Sequence, residues 1–413
     1  MVILFMKRVE LLAPAKNFKA LKAALPYADS VYFGVEKFNM RMRTENFKET
    51  ELKEIVQICH ATNVKAYLAT NIIIYDNELG ALRALVEQAH NAEIDALIIH
   101  DLALIPICKE FQLEFHISTQ QSVSNVEAAN FFSQLGAKRV VLARELSLEQ
   151  IRYIKNHTSI EIECFIHGAQ CTSISGRCYF SRDICGSDEN SANRGKCIQP
   201  CRRTWRVIDE EKNEFIYDGQ YFLNAKDLCM IQYIPQLIEA NVDAFKIEGR
   251  MRSPVYVEIV TKCYKEAISA YYDNDFTQAK VDQWLTELKK VYNRGFSTGF
   301  YFGRPTEVDI EQTTSGNISE YRKVEIGYVQ AYFRNLQVAK IVLVKERIRL
   351  GDELFTLGRG SDTYLHQTIK SIQVHGKDVS ETPLADNSTV LATIQLDSPV
   401  KKNDRLFRLS KDR

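Results

Sequence analysis

The sequence predicts an α/β fold: a (β/α)8 TIM-like barrel with a large cysteine-rich insertion between strands seven and eight, followed by a small C-terminal all-β barrel domain. Three observations carry this. Short β-rich runs alternate with amphipathic stretches from residue 9 to residue 250, the alternation breaks between Gly168 and Ala244, and beyond residue 320 the hydrophobic period falls to two.

The β-rich runs are Val9–Pro14, Ser30–Val35, Lys65–Ile74, Ala96–Asp101, Glu114–Gln120, Lys138–Glu145, Ile160–Gly168 and Ala244–Arg250. Helical patterns such as Phe47–Thr62, Asn77–Glu93 and Val126–Gly136 lie between them. Eight βα units close a barrel in roughly 250 residues, and the 413 residues here suffice for that and an appendage. The first turn, Ala13-Pro14-Ala15-Lys16-Asn17, lacks the glycines of a dinucleotide-binding open sheet. Helices are expected over Pro254–Asp273 and Asp275–Tyr292, then strands over Val324–Phe333, Val338–Val344, Gln367–Val374 and Val390–Leu396. Gly351-Asp352-Glu353-Leu354 and Asn403-Asp404-Arg405-Leu406 repeat a turn-then-strand pattern. The expected division is a barrel domain over 1–319, with its insertion at 169–243, and a β domain over 320–413.

Hydrophobic residues make up 45% and charged residues 26%, an ordinary globular composition. Fifty-three Lys and Arg balance 53 Asp and Glu, so no global field draws the chain onto polyanions and any nucleic-acid partner needs a local patch. No apolar run reaches the roughly 18 residues of a membrane span, and Met1–Phe5 is too short for a signal-peptide core before Lys7 and Arg8. A cytoplasmic chain without membrane association is expected.

Alternation along the eighth run puts Phe245 and Ile247 on one face and Lys246, Glu248 and Arg250 on the other. If the apolar face packs on helices, three charges point into the barrel mouth, where they need internal pairing, a ligand or water. The same parity groups His116, Ser118 and Gln120 on strand five, and Glu163, Phe165 and His167 on strand seven. A structural ion-pair network is the bland alternative, and His116 alone reads as a core histidine.

Of ten cysteines, Cys171, Cys178, Cys185, Cys197, Cys201 and Cys229 crowd into the insertion. In a reducing compartment such crowding points to metal or redox chemistry before disulfides. The spacing contains no Cys-x-x-Cys knuckle; it permits an iron-sulfur cluster, and zinc or simple thiols stay open. Nearby, Arg194, Lys196, Arg202, Arg203 and Arg206 surround Trp205 with no acid between Asn190 and Arg206, offering phosphate contacts and a stacking surface. They equally serve to offset thiolate charge.

Several segments together resemble the collagenase-like peptidase family U32. They are Glu163–Ser181, Asn193–Arg202, Asn224–Cys229 and Phe245–Pro254, with Glu10–Pro14, Tyr32-Phe33-Gly34, Phe38–Arg41 and Asn293–Gly303. Within that family, the length and β tail are most similar to the tRNA hydroxylation proteins, which form 5-hydroxyuridine at the wobble position and draw on prephenate. The resemblance implies a 4Fe-4S cluster held by Cys171, Cys178, Cys197 and a fourth cysteine, taken as Cys229 with Cys201 the alternative. It further implies tRNA as partner. On this reading His167, Lys246, Glu248 and Arg250 form the catalytic lining, while Arg41 and Arg43 grip the prephenate dicarboxylate.

Two other readings remain: a U32-type collagenase-like peptidase, and a non-catalytic metal-containing RNA-binding protein. No His-Glu-x-x-His motif is present, and Gly295-Phe296-Ser297-Thr298-Gly299 fits Gly-x-Ser-x-Gly without the strand-then-helix setting of a nucleophile elbow.

Overall fold

A computed structural model describes residues 8–216, 221–385 and 388–411. The chain separates into two compact units, the first comprising residues 8–17 and 24–318 and the second residues 18–23 and 319–411. In the first, β1 (Glu10–Pro14), β2 (Ser30–Phe33), β3 (Lys65–Thr70), β4 (Ala96–Ile99), β5 (Phe115–Ile117), β6 (Arg139–Val141) and β7 (Glu161–Gly168) pair in sequence order. The eighth strand, β8 (Ala244–Ile247), pairs in parallel with both β7 and β1 and closes the barrel. Each expected run holds one of these strands. Both faces of β2 and β4 are buried throughout, which is why such strands read as continuous apolar runs.

Local chemistry starts the outer helices. Asn125 and Ser147 accept hydrogen bonds from the N–H groups of Ala128 and Gln150, and Gln150 completes a capping box. Ser253 caps the 19-residue helix Pro254–Tyr272, whose first-turn proline has no N–H to leave unpaired. Within the insertion, the short strand Asp227–Cys229 runs antiparallel to the end of β7 and parallel to Phe296–Ser297. The crossover helix Ile234–Glu239 follows it and leads into β8.

The β7–β8 ladder breaks at one residue. Lys246 is paired with Phe165 but Ile247 with His167, so Ile166 is extra and β7 bulges there. A bulge reverses the alternation. His167 therefore leaves the face that carries Glu163 and Phe165 and turns toward the helix Pro254–Tyr272, contrary to the strict parity expected from the sequence.

The second unit is an eight-stranded antiparallel sheet ordered Tyr364–Thr368, Glu353–Leu357, Arg405–Lys411, Tyr321–Phe333, Val338–Leu343, Val390–Gln395, Ile372–Val374, Lys377–Asp378. Its strands share one apolar core that includes Ile326, Ile341, Leu354, Leu365, Ile372, Ile394 and Leu406. The expected run Gln367–Val374 is divided between two strands, with residues 369–371 in neither.

Candidate active site

The barrel floor is a buried charge network. Lys246 Nζ lies 2.6 Å from Glu163 Oε1, and Arg139 reaches Glu163 at 3.2 Å, Glu10 at 2.8 Å and Glu161 at 2.8 Å. Burial alone would raise the Glu10 pKa, but hydrogen bonding and attraction from Arg139 dominate and hold it at about 2. Burial pulls the Lys246 ammonium down, against the attraction of Glu163. The Lys246 ammonium also sits 4.4 Å from the Tyr32 ring centre.

Above this floor, at the C-terminal ends of the strands, two adjoining pockets open. The inner one is lined by Tyr32, Asn71, Ser118, Gln120, Phe165, Lys246 and Arg250 among others. The outer one presents Arg43, Arg202, Arg252 and Arg294 beside Cys171, Cys197 and Cys201. Met40, Arg41, Arg144 and Glu248 line both. Glycine permits the close approaches around them. A Cβ on Gly168, at φ +104°, would come within 2.2 Å of the Glu248 carbonyl, and one on Gly195, at φ +79°, within 2.1 Å of the Asn39 carbonyl.

Arg41 and Glu248 form a salt bridge of 3.1 Å. Burial pushes the Glu248 carboxyl up, but Arg41, Arg144 and Arg250 outweigh it and keep it ionised. Arg250 pairs with no carboxylate among the described residues; it donates to the side-chain oxygens of Asn39 at 2.8 Å and Asn46 at 2.6 Å, and burial lowers its pKa to about 10. Among the described residues Arg43, Arg144, Arg202 and Arg252 likewise lack a carboxylate partner. Arg43 bonds Asn190, Arg144 bonds the Ala169 carbonyl and covers the Phe165 ring at 4.2 Å, and Arg252 covers Tyr292 at 3.5 Å. The outer pocket is thus strongly cationic.

The expected site residues divide. Lys246, Glu248, Arg250 and Arg41 come together at the inner pocket, and Arg43 stands in the outer one. His167 does not join them: it is buried 3.2 Å from the Tyr264 hydroxyl among Tyr256, Tyr264 and Phe296, and burial lowers its pKa to about 4. Cys229 shares that environment, its sulfur 3.8 Å from the Tyr264 hydroxyl, with burial raising its pKa to about 11. Cys178 is half-buried on the adjoining loop, where its N–H donates to Asn193 Oδ1.

The basic segment is mostly committed to the fold. Arg194 makes a bidentate pair with Glu78 at 2.6 and 2.7 Å and stacks on Tyr75. Arg202 is buried and donates to Asn224, the Ala225 carbonyl and the Gln170 carbonyl. Arg206 is exposed but paired with Glu214. The Trp205 ring stacks on Phe180 at 5.0 Å and its N–H bonds the Pro200 carbonyl, so this is not an open stacking platform. Arg203 is exposed and Lys196 half-buried. The sequence reading missed Arg144, whose signal is its place just past the C-terminal end of β6, where barrel enzymes carry functional groups.

Residues 16–311 match the profile of Peptidase family U32. The chain belongs to that family. A Methanocaldococcus jannaschii protein named an uncharacterized protease is 39% identical over 98% of this chain and 99% of its own length. A collagenase of Porphyromonas gingivalis is 36% identical, covering 97% of this chain and 98% of the relative. The tRNA hydroxylation protein P1 of Bacillus subtilis is 33% identical over 95% and 93% of the two chains.

In this U32 chain Ser297 Oγ donates to Asp309 at 2.7 Å and accepts from the Gly299 N–H. The short strand Phe296–Ser297 leads into turns rather than a helix, and no imidazole stands as base beside Ser297 among its hydrogen-bond partners. Among the described residues no helix is long and apolar enough to cross a membrane.

Proposed function

We propose that this U32 protein is an RNA-hydroxylating enzyme of the cytoplasm that forms 5-hydroxyuridine at the tRNA wobble position. The observation that carries the reading is the cationic outer pocket, in which arginines without carboxylate partners stand beside three thiols while the candidate serine lacks a base. The relative named for tRNA hydroxylation, similar over almost the whole chain, supports it.

The implied 4Fe-4S cluster fits the outer pocket by its donors. Cys171, Cys197 and Cys201 share its wall, and Cys197 Sγ accepts hydrogen bonds from the Ser181 hydroxyl at 3.5 Å and the Gln199 N–H at 3.3 Å. Among the described residues no three His, Cys, Asp or Glu side chains converge on one metal ion. A cluster does not require that, because each iron takes its own thiolate and the ligands ring the group. Cys171, Cys178, Cys197 and Cys201 would hold it, Cys201 replacing the expected Cys229. When bound, the cluster supplies electron transfer.

The chain's own groups bind and orient. Arg43, Arg144 and Arg252 would receive the carboxylates of prephenate by charge-assisted hydrogen bonds, and Arg41, fixed by Glu248, would orient it from the boundary of the pockets. Lys246 and Arg250 stay in place through Glu163 and the two asparagines. Nucleoside analysis of total tRNA from a deletion strain tests the function: hydroxylated uridine should disappear, and its persistence would overturn the reading.

A further inference from the structure

Ser181 is the first buried side chain after Cys178; it stands in the opening turn of the short helix Phe180–Cys185 with none of its surface exposed. Its oxygen accepts from the Ile198 N–H at 3.2 Å and lies 3.5 Å from Cys197 Sγ. A backbone N–H can only donate, so the proton of the hydroxyl is left for the sulfur. A metal-bound thiolate carries no proton and can only accept, which gives the bond the same direction when an iron is held there. The Gln199 N–H is a second donor to this sulfur at 3.3 Å, presented by a left-handed backbone at φ +56°. The helix of Ser181 is clamped to the loop of Cys197 and Cys201, because the Phe180 ring stacks on Trp205 at 5.0 Å and the Trp205 N–H bonds the Pro200 carbonyl. The hydroxyl therefore has little freedom to turn away from the sulfur.

We propose that Ser181 raises the reduction potential of the cluster through its hydrogen bond to Cys197 Sγ. This rests on the 4Fe-4S reading above, with Cys197 as one of the ligands. Reduction adds one electron, supplied in the test by dithionite, and part of the added negative charge falls on the ligand sulfurs. A donor aimed at one of those sulfurs is attracted more strongly to the reduced form than to the oxidised one, and so favours reduction. Burial strengthens the effect, since little water competes for the sulfur. Ser181 is not among the residues that line the outer pocket, so it acts through Cys197 and not on a substrate.

The midpoint potential of the anaerobically purified protein, followed by the EPR signal of the reduced cluster, tests this. At the wild-type midpoint, the ratio of reduced to oxidised cluster in Ser181→Ala should be lower by roughly three- to tenfold, the order of part of one hydrogen bond to a charged group. Ser181→Thr keeps the hydroxyl and should stay near wild type, while Ser181→Val, close to threonine in volume, should follow Ser181→Ala. Iron content and thermal melts establish that each variant is loaded and folded. An unmoved midpoint in Ser181→Ala, or equal shifts in Ser181→Thr and Ser181→Val, would overturn the proposal. Loss of iron from both Ser181→Ala and Ser181→Val with retention in Ser181→Thr would also overturn it, by making the hydroxyl a tether of the ligand loop. Each of these results in brown wild-type protein leaves the cluster standing; a colourless wild type that holds zinc removes the cluster on which the proposal rests.

Discussion

Arg41 Nη2 lies 3.1 Å from Glu248 Oε2, and both residues line the inner and the outer pocket. The pair joins the segment after β2 to the residue just past the end of β8, so the barrel mouth is braced across its second and eighth units. Replacing Glu248 by Gln leaves the guanidinium of Arg41 without its counter-charge in a half-buried position. The variant should unfold about 2 kcal/mol more easily in urea, and Glu248→Asp should recover part of the loss. Equal midpoints for wild type and Glu248→Gln would show that the pair braces nothing.

His167 supplies a pH test of stability. Burial lowers its folded pKa to about 4, whereas an unfolded histidine titrates near 6.5, so the unfolded chain binds the additional proton. The contribution is complete above about pH 6.5 and is lost as pH falls toward 4, to a total of about 3 kcal/mol. Chemical denaturation of wild type and His167→Gln across pH 7 to 4 should give a shallower slope for the variant. Parallel slopes would place the histidine in contact with solvent instead of the Tyr264 pocket.

Anaerobically purified protein should be brown and contain about four irons per chain. Cys171→Ala, Cys178→Ala, Cys197→Ala and Cys201→Ala should each lose iron and the visible band, while Cys229→Ala, whose sulfur lies against Tyr264 outside the lining of the outer pocket, should retain both. Retention by Cys201→Ala with loss in Cys229→Ala would restore the ligand expected from the sequence. Stoichiometric zinc in a colourless preparation would remove the cluster.

The basic segment should divide into structural and electrostatic members. Arg203→Ala should reduce the log-log salt slope of tRNA binding by about 0.7 without lowering thermal stability, because an exposed cation releases counterions when it meets a phosphate. Arg202→Ala strands the side-chain oxygen of Asn224 and two backbone carbonyls, and should destabilise by roughly 2–4 kcal/mol. Arg194→Ala should destabilise through loss of Glu78 and leave the slope unchanged. A slope that responds to Arg194 and not to Arg203 would reverse the assignment.

Ser297→Ala should leave tRNA hydroxylation intact, since its hydroxyl only tethers Asp309 and the Gly299 N–H. Gelatin cleavage by the purified protein that vanished in this variant would establish a peptidase.

Sequence alone determined the architecture. Period and run length are local properties, so the eight strands, the break after Gly168 and the change to period two in the tail are all legible, as is the inward charge of Lys246, Glu248 and Arg250. Which charges remain available was decided by tertiary structure, because pairing joins residues far apart in the chain: Glu163 takes Lys246, Glu78 takes Arg194, and Arg144 finds no carboxylate among the described residues. The same holds for the thiols, since loop closure brings Cys201 to the wall with Cys171 and Cys197 while a strand carries Cys229 to Tyr264. His167 shows the limit most plainly. Alternation predicts its face only for an unbroken strand, and the single extra residue at Ile166, invisible in composition or period, turns its ring out of the barrel because side-chain direction reverses at every residue.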